Sequence, residues 1–277
     1  METSPALEKY RRTMRVRQPI IGMVHVQALP GTPGYAGAVQ AIVDAALRDA
    51  DTLKRAGVDA LLLENMHDLP YLRREVGHEV SSVMTVVAYL IKRAFGLPTG
   101  MQILAGANHA ALAASNAAGL DFIRAEAFVF GHLADEGWMD ADAGPLLRYR
   151  KQIGAEDILI LTDIKKKHSA HAATADLSLA ETAHAAEFFK SDGVIVTGTS
   201  TGMAASLAEL QGLQGATELP ILVGSGLTEV NISEYAPLAD GFIVGSSLKR
   251  GGDWRQEVDY ERATRLVHAF HQRLDNA

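Results

Sequence analysis

The chain has 277 residues, no cysteine, a formal net charge of −7 and 48% hydrophobic residues. Disulfide staples, thiolate metal sites and cysteine nucleophiles are excluded, and a mildly acidic balance without a basic stripe argues against a nucleic-acid partner. No apolar run approaches the roughly 18 residues that a membrane helix needs, so no transmembrane segment is expected, and the length suits one large core.

In chain order, residues 1–18 are basic but lack the apolar centre of a secretory signal. Their arginines would suit an organelle import sequence. Glu2 and Glu8 argue against one, so the stretch reads as a solvated, partly flexible lead-in to a domain over residues 19–277, with the cytoplasm as the expected location. Short apolar runs flanked by Gly, Pro or Asp predict strands at Ile20–Val24, Ala60–Glu64, Thr99–Leu104, Phe122–Ala127, Ile158–Ile164, Gly193–Thr197, Ile221–Val223 and Phe242–Val244. Helical periodicity fills the intervals. Ala38–Arg55 places Val39, Ile42, Val43, Ala46, Ala50 and Leu53 on one face, and Val80–Phe95 and Leu179–Phe189 behave similarly, while the Ala-rich Ala107–Ala118 suits a helix packed closely against a sheet. A closing amphipathic helix is predicted within Asp253–Leu274, with Leu266, Val267, Phe270 and Leu274 apolar. Strands alternating with helices predict a parallel sheet, and about eight such units without a linker favour a single (β/α)8 TIM barrel of the α/β class.

Chemistry in such a barrel lies at the C-terminal ends of the strands. His25 ends the first strand and suits either a core or a functional role. Glu64 and Asn65 follow three leucines, and a carboxylate at the rim of a core needs a partner, such as Arg124, or a task. Gln102 faces the interior. Arg124 and Glu126 alternate onto one face, as an internal ionic layer or as a substrate clamp. Alternation in the fifth strand puts Asp163 and Lys165 together, with Lys167 two further on and His168 beside it. A lysine near a carboxylate can serve as general acid, anion ligand or Schiff-base amine. Thr197 and Gly198 begin a loop rich in hydroxyls and amides. The strongest signal is the pair PILVGSG, residues 220–226, and DGFIVGSS, residues 240–247. Each apolar run opens into Gly and Ser, so Gly224, Ser225, Gly226, Gly245 and Ser246 are placed to offer main-chain N–H groups to a small anionic or phosphorylated ligand, with the dipoles of following helices adding to them.

The blocks GMVHVQALPGTPGY, DALLLENMHDLPY, FIRAE, TDIKKKHSAH, GVIVTGTSTG, LVGSGLTEVN and DGFIVGSSLKRGGDW together resemble the BtpA family, also called BtpA/SgcQ, over nearly the whole chain. The resemblance implies a barrel related to the ribulose-phosphate-binding barrels, site candidates at Glu64, Asn65, Asp163, Lys167 and His168, and an anion cradle in the glycine-serine loops. It also implies two functional directions, because the family's namesake is linked to photosystem I accumulation while other relatives occur in non-photosynthetic organisms. Many relatives carry an Asn-Asp pair after the third strand. This chain has Ala105-Gly106-Ala107-Asn108 there, which takes a carboxylate from the mouth.

Three functions follow. The first is an enzyme on a phosphorylated metabolite, of lyase, isomerase or glycoside-cleaving type, with Glu64 or Asp163 as base and Lys167, His168 or Lys165 as acid, stabiliser or amine. The second is a non-catalytic assembly or stability factor. The third is a metal-dependent hydrolase using His25, Glu64, Asp163 and His168, although no HxH or HExxH spacing is present. The leading expectation includes no cofactor, and self-association is expected from the habit of such barrels.

Overall fold

The structure is a computed structural model that describes residues 4–166, 168–198 and 204–274, the side chains of 273 and 274 excepted. The sequence reading of Lys167 therefore lies outside the described residues, as does that of Leu274's side chain. In chain order the elements are α1 (Pro5–Met14), β1 (Ile20–His25), α2 (Val39–Ala56), β2 (Ala60–Glu64), α3 (His78–Phe95), β3 (Thr99–Gln102), α4 (Asn108–Ala118) and β4 (Phe122–Ala125). There follow β5 (His132–Ala134), β6 (Gly137–Met139), α5 (Ala143–Gln152), β7 (Leu159–Ile164), β8 (Ser169–Ala170), α6 (Leu179–Phe188), β9 (Gly193–Val196), α7 (Leu207–Leu213), β10 (Ile221–Gly224), α8 (Ile232–Tyr235), β11 (Gly241–Val244) and α9 (Tyr260–Leu274).

The expected strands close in the order β1-β11-β10-β9-β7-β4-β3-β2, every pairing parallel. They read as apolar runs because both faces are covered: one meets the helices, the other fills the barrel. Ile21, Met23, Leu62, Phe122, Leu161, Ile195, Leu222 and Ile243 form the inner cluster, and the larger outer cluster packs the sheet against the helices. In α2 the predicted face is buried except Val39, which is 36% exposed at the first turn, and Asp49 is buried among the apolar residues. Its carboxylate accepts a 2.6 Å hydrogen bond from Lys249 and a 2.8 Å bond from the Val258 amide, tying α2 to the segment before α9. The closing helix starts at Tyr260 rather than Asp253, because residues 253–258 turn back and pair Val258 with Lys249 in a β-bridge.

Two features depart from the sequence reading. The supposed lead-in contains α1, capped by Ser4 and carrying Pro5 in its first turn. Its Tyr10 and Met14 are 0% and 1% exposed and join the inner cluster, so the helix stoppers the N-terminal end of the barrel. Gly241 makes room for this: a Cβ there would stand 2.2 Å from the Tyr10 hydroxyl oxygen. The second departure is a small antiparallel sheet, β6-β5-β8, built from the loops after β4 and β7. Among the described residues, no helix is long and apolar enough to cross a membrane.

Candidate functional site

The ends of the strands surround a cavity of about 480 Å3. Register places His25 beside Glu64 and Glu64 beside Gln102, so β1, β2 and β3 contribute three adjacent polar side chains to its floor. Arg124 and Glu126 enter from β4 and the residue just beyond it, and Asp163 enters from β7. His168, Gly224, Ser225, Gly226, Gly245 and Ser246 also line the space.

The ionic partners differ from those expected. Arg124 does not bond Glu64. Its Nε and Nη2 each donate to Asp163 at 2.8 Å, a two-pronged pair with side chains 7% and 1% exposed. Burial pulls the guanidinium down, but Asp163, followed by Glu64 and Glu126, pushes it above its ordinary value. Both Asp163 oxygens are thus engaged by a permanent cation, which suits a charge-holding post better than the general base considered from sequence. Lys165 is the second correction. It adopts φ 47°, and this left-handed turn ends the two-residue alternation of β7. Its ammonium is directed away from the mouth, donating to the carbonyls of Thr174 and Leu177. Lys166 turns inward instead and donates to Glu126 Oε1 at 3.1 Å. Its ammonium is held above its ordinary value because Glu126, Glu136 and Asp163 outweigh the opposing and individually largest effect of burial.

Asn65 does not line the cavity. Its amide donates to Asp68 at 2.9 Å and accepts from the Leu104 amide at 2.7 Å, while Asp68 accepts from the Leu29 amide at 2.8 Å. Asn65 therefore ties together the loops after β1, β2 and β3. Thr197 is buried at the end of β9, and neither it nor Gly198 lines the cavity.

The two glycine-serine loops sit side by side on the remaining wall. Gly224 and Gly245 extend the inward-facing series of β10 and β11 without side chains, and a Cβ on Gly245 would stand 3.3 Å from His25 Nε2. Among the described residues, none accepts a hydrogen bond from the main-chain N–H of Ser225, Gly226, Ser246 or Ser247. The loops are bound to each other through other atoms: Ser247 Oγ donates to the Leu227 carbonyl at 2.6 Å, and Asn231 donates to the Gly226 carbonyl at 3.0 Å. The helix dipoles expected behind them are not there. A three-residue 3-10 turn follows β11 and the four-residue α8 follows β10, both too short to align a dipole. A cation stands in their place. Arg262 of α9 lines the same wall, its Nε donating to the Ser247 carbonyl at 2.9 Å.

Above the floor, Trp254 and Tyr71 supply flat walls. His25 Nδ1 lies 3.0 Å from the Trp254 carbonyl. A carbonyl only accepts, so Nδ1 carries the proton and Nε2 faces the mouth on the Gly245 side. The Tyr71 hydroxyl donates to the Met66 carbonyl at 2.8 Å. His67 packs its ring 5.0 Å from that of Trp254, and burial, then Lys249, pulls it below its ordinary value. Among the described residues, no three His, Asp or Glu side chains are arranged to hold a metal ion, so the His25, Glu64, Asp163 and His168 set does not assemble as ligands.

Lys166, Tyr71, Trp254 and Arg262 were missed as site residues. For Lys166 a signal existed, since Glu126 on the neighbouring strand needed a cation. The other three stand on loops or on α9, where strand periodicity gives no bearing.

The profile of the BtpA family matches residues 16–272. An uncharacterised Caenorhabditis elegans protein described as mitochondrial is 48% identical over 90% of this chain and 91% of its own length. The photosystem I biogenesis protein BtpA of Synechocystis is 32% identical over 95% of this chain and 91% of its own length. Solved barrels share the fold at low identity. Thiamine phosphate pyrophosphorylase from Pyrococcus furiosus has a TM-score of 0.57 at 11% identity, covering 93% of this chain and 98% of that one. Orotidine 5'-monophosphate decarboxylase from Methanocaldococcus jannaschii has a TM-score of 0.58 at 12% identity, covering 92% and 99%.

Proposed function

The chain belongs to the BtpA family, and from that premise we propose that it is an enzyme that binds a small phosphorylated metabolite in the barrel mouth and transforms it by acid–base chemistry. One observation carries the reading: four main-chain amides without an acceptor among the described residues share a wall with Arg262, beside a cavity of about 480 Å3. Amides and one guanidinium suit a phosphate, which takes several donors at once. The solved barrels contribute only the fold, so the function is argued from the site itself.

In this mechanism the phosphate anchors the ligand against the glycine-serine wall and its reactive part lies over the floor. Glu64, 6% exposed, is the general base. His25, held in one tautomer by the Trp254 carbonyl, handles the second proton transfer through Nε2. The Arg124–Asp163 pair keeps its shape and supplies a fixed dipole beside the reacting atoms.

The test is thermal stabilisation by inorganic phosphate and by sugar phosphates. A ligand at about 100 times its dissociation constant adds roughly 2.7 kcal/mol of stability. Arg262→Gln is expected to melt near the wild type without ligand and to lose most of that gain. Equal gain in the variant, or none in the wild type, refutes the cradle. Once a substrate is found, Glu64→Gln is expected to lower kcat by about 10²–10⁴.

The cyanobacterial relative's name favours a second reading, a non-catalytic assembly factor. Leu69 and Leu72, after β2, and Leu133 and Trp138, of β5 and β6, are 48%, 55%, 52% and 45% exposed and offer a contact surface. On that reading Glu64→Gln leaves the biological role intact and Trp138→Ser abolishes it.

A further inference from the structure

The mouth is electrically two-ended. Amides and Arg262 occupy one wall, whereas Glu126, Asp135 and Glu136 line the side that carries Tyr71, with Lys166 paired to Glu126. Burial first, then Glu64, Glu126 and Glu136, pushes the Tyr71 hydroxyl above its ordinary value, which registers how closely carboxylates gather round it. Among the described residues, two buried acceptors on this side lack donors. Gln102 is 2% exposed and its Oε1 accepts nothing. Glu126 is 5% exposed; its Oε1 accepts from Lys166, and its Oε2 accepts nothing.

Buried acceptors are ordinarily satisfied, and a pair of them lining one cavity marks where a ligand supplies the protons. Both orphans call for donors, and the neighbouring charge is negative. A hydroxyl brings one proton; an ammonium brings three and a positive charge. We propose that the substrate is a phosphorylated amine, of the amino-sugar phosphate class, whose ammonium is read by Glu126 and Gln102 while its phosphate lies against the glycine-serine wall. This rests on the anion cradle of the proposed function and adds the identity of the other end of the ligand. Glu126 and Gln102 are then specificity residues, and Lys166 holds Glu126 in a fixed orientation.

The experiment is calorimetric titration of the full chain with three probes: inorganic phosphate, glucose 6-phosphate and glucosamine 6-phosphate. The sugar phosphates differ by a hydroxyl against an ammonium. Glucosamine 6-phosphate is expected to bind at least about tenfold more tightly than glucose 6-phosphate. Glu126→Gln should abolish that preference while leaving the affinity for inorganic phosphate unchanged. Gln102→Glu, which adds a second carboxylate, should widen it; this variant keeps the test open if Glu126→Gln does not fold. Equal affinities for the two sugar phosphates, or a preference that survives Glu126→Gln, overturn the ammonium site. Failure of inorganic phosphate to bind strikes instead at the cradle and the enzymatic function as a whole.

Discussion

Removing Asp163 should cost far more than removing an aspartate from an ion pair of the same length on the surface. Arg124 donates to Asp163 at 2.8 Å, with side chains 7% and 1% exposed. Arg55 donates to Asp51 at the same 2.8 Å, with side chains 58% and 52% exposed. Distance is held constant; burial separates them, together with the second hydrogen bond that Asp163 receives. Asp163→Ala leaves a buried guanidinium that cannot lose its proton, and breaking a buried pair in this way costs about 3–5 kcal/mol. Glu64 and Glu126 both act on Arg124 and offset part of the loss, which points to the lower end, about 3 kcal/mol. Asp51→Ala breaks a helical i,i+4 contact worth about 0.3–0.5 kcal/mol. For 277 residues, an unfolding entropy near 2.1 cal/mol/K per residue makes the larger loss a drop of about 5 °C in Tm. Urea denaturation followed by circular dichroism measures both, with the double change Arg124→Met and Asp163→Leu expected to recover most of the stability by removing the charges together. Similar losses for Asp163→Ala and Asp51→Ala, or a double variant no better than the single, would refute the argument that burial sets the cost.

Tyr10→Ala is expected to destabilise the barrel by about 3–5 kcal/mol, the range for deleting a buried aromatic ring, because Tyr10 is 0% exposed inside the stoppered end; a denaturation midpoint unchanged from the wild type would show that α1 is dispensable. Burial first, then Lys166 and His171, pulls His132 of β5 from its ordinary 6.5 down to about 4. The folded value lies below the unfolded one, so the folded state favours the neutral ring: the stabilisation is complete above about pH 6.5 and is lost as pH falls toward about 4. An NMR titration of the His132 ring checks this, and a midpoint near 6.5 would contradict it.

The barrel was legible because parallel strands covered on both faces must be written as unbroken apolar runs, and all eight predicted runs are barrel strands. Helix α1 escaped notice because its inward stripe, Leu7, Tyr10 and Met14, is short and set among Glu8, Lys9, Arg11 and Arg12. The β5-β6-β8 sheet escaped because its strands of three, three and two residues are too short for alternation to register. At the mouth, strand ends pointed to His25 and Glu64, and period-2 reasoning put Arg124 with Glu126 and Asp163 with Lys165; of these, all but Lys165 line the cavity, as does Gln102. Alternation held as far as Asp163. It failed one residue beyond the end of β7, where a single positive φ at Lys165 exchanged one lysine for the next. Pairing was beyond its reach for a similar reason. Whether Arg124 reaches Glu64 or Asp163 depends on side-chain angles that no spacing rule encodes.

Helix α1 also decides how the molecule can be handled. Ser4 bonds the Glu218 carbonyl at 2.6 Å, beside the start of β10 and on the side away from the ligand wall. A peptide appended ahead of that serine departs from the rear of the barrel. An affinity tag, a surface linker or a cleavable import sequence can therefore be attached, anchored or trimmed there without crossing the path by which a small molecule arrives.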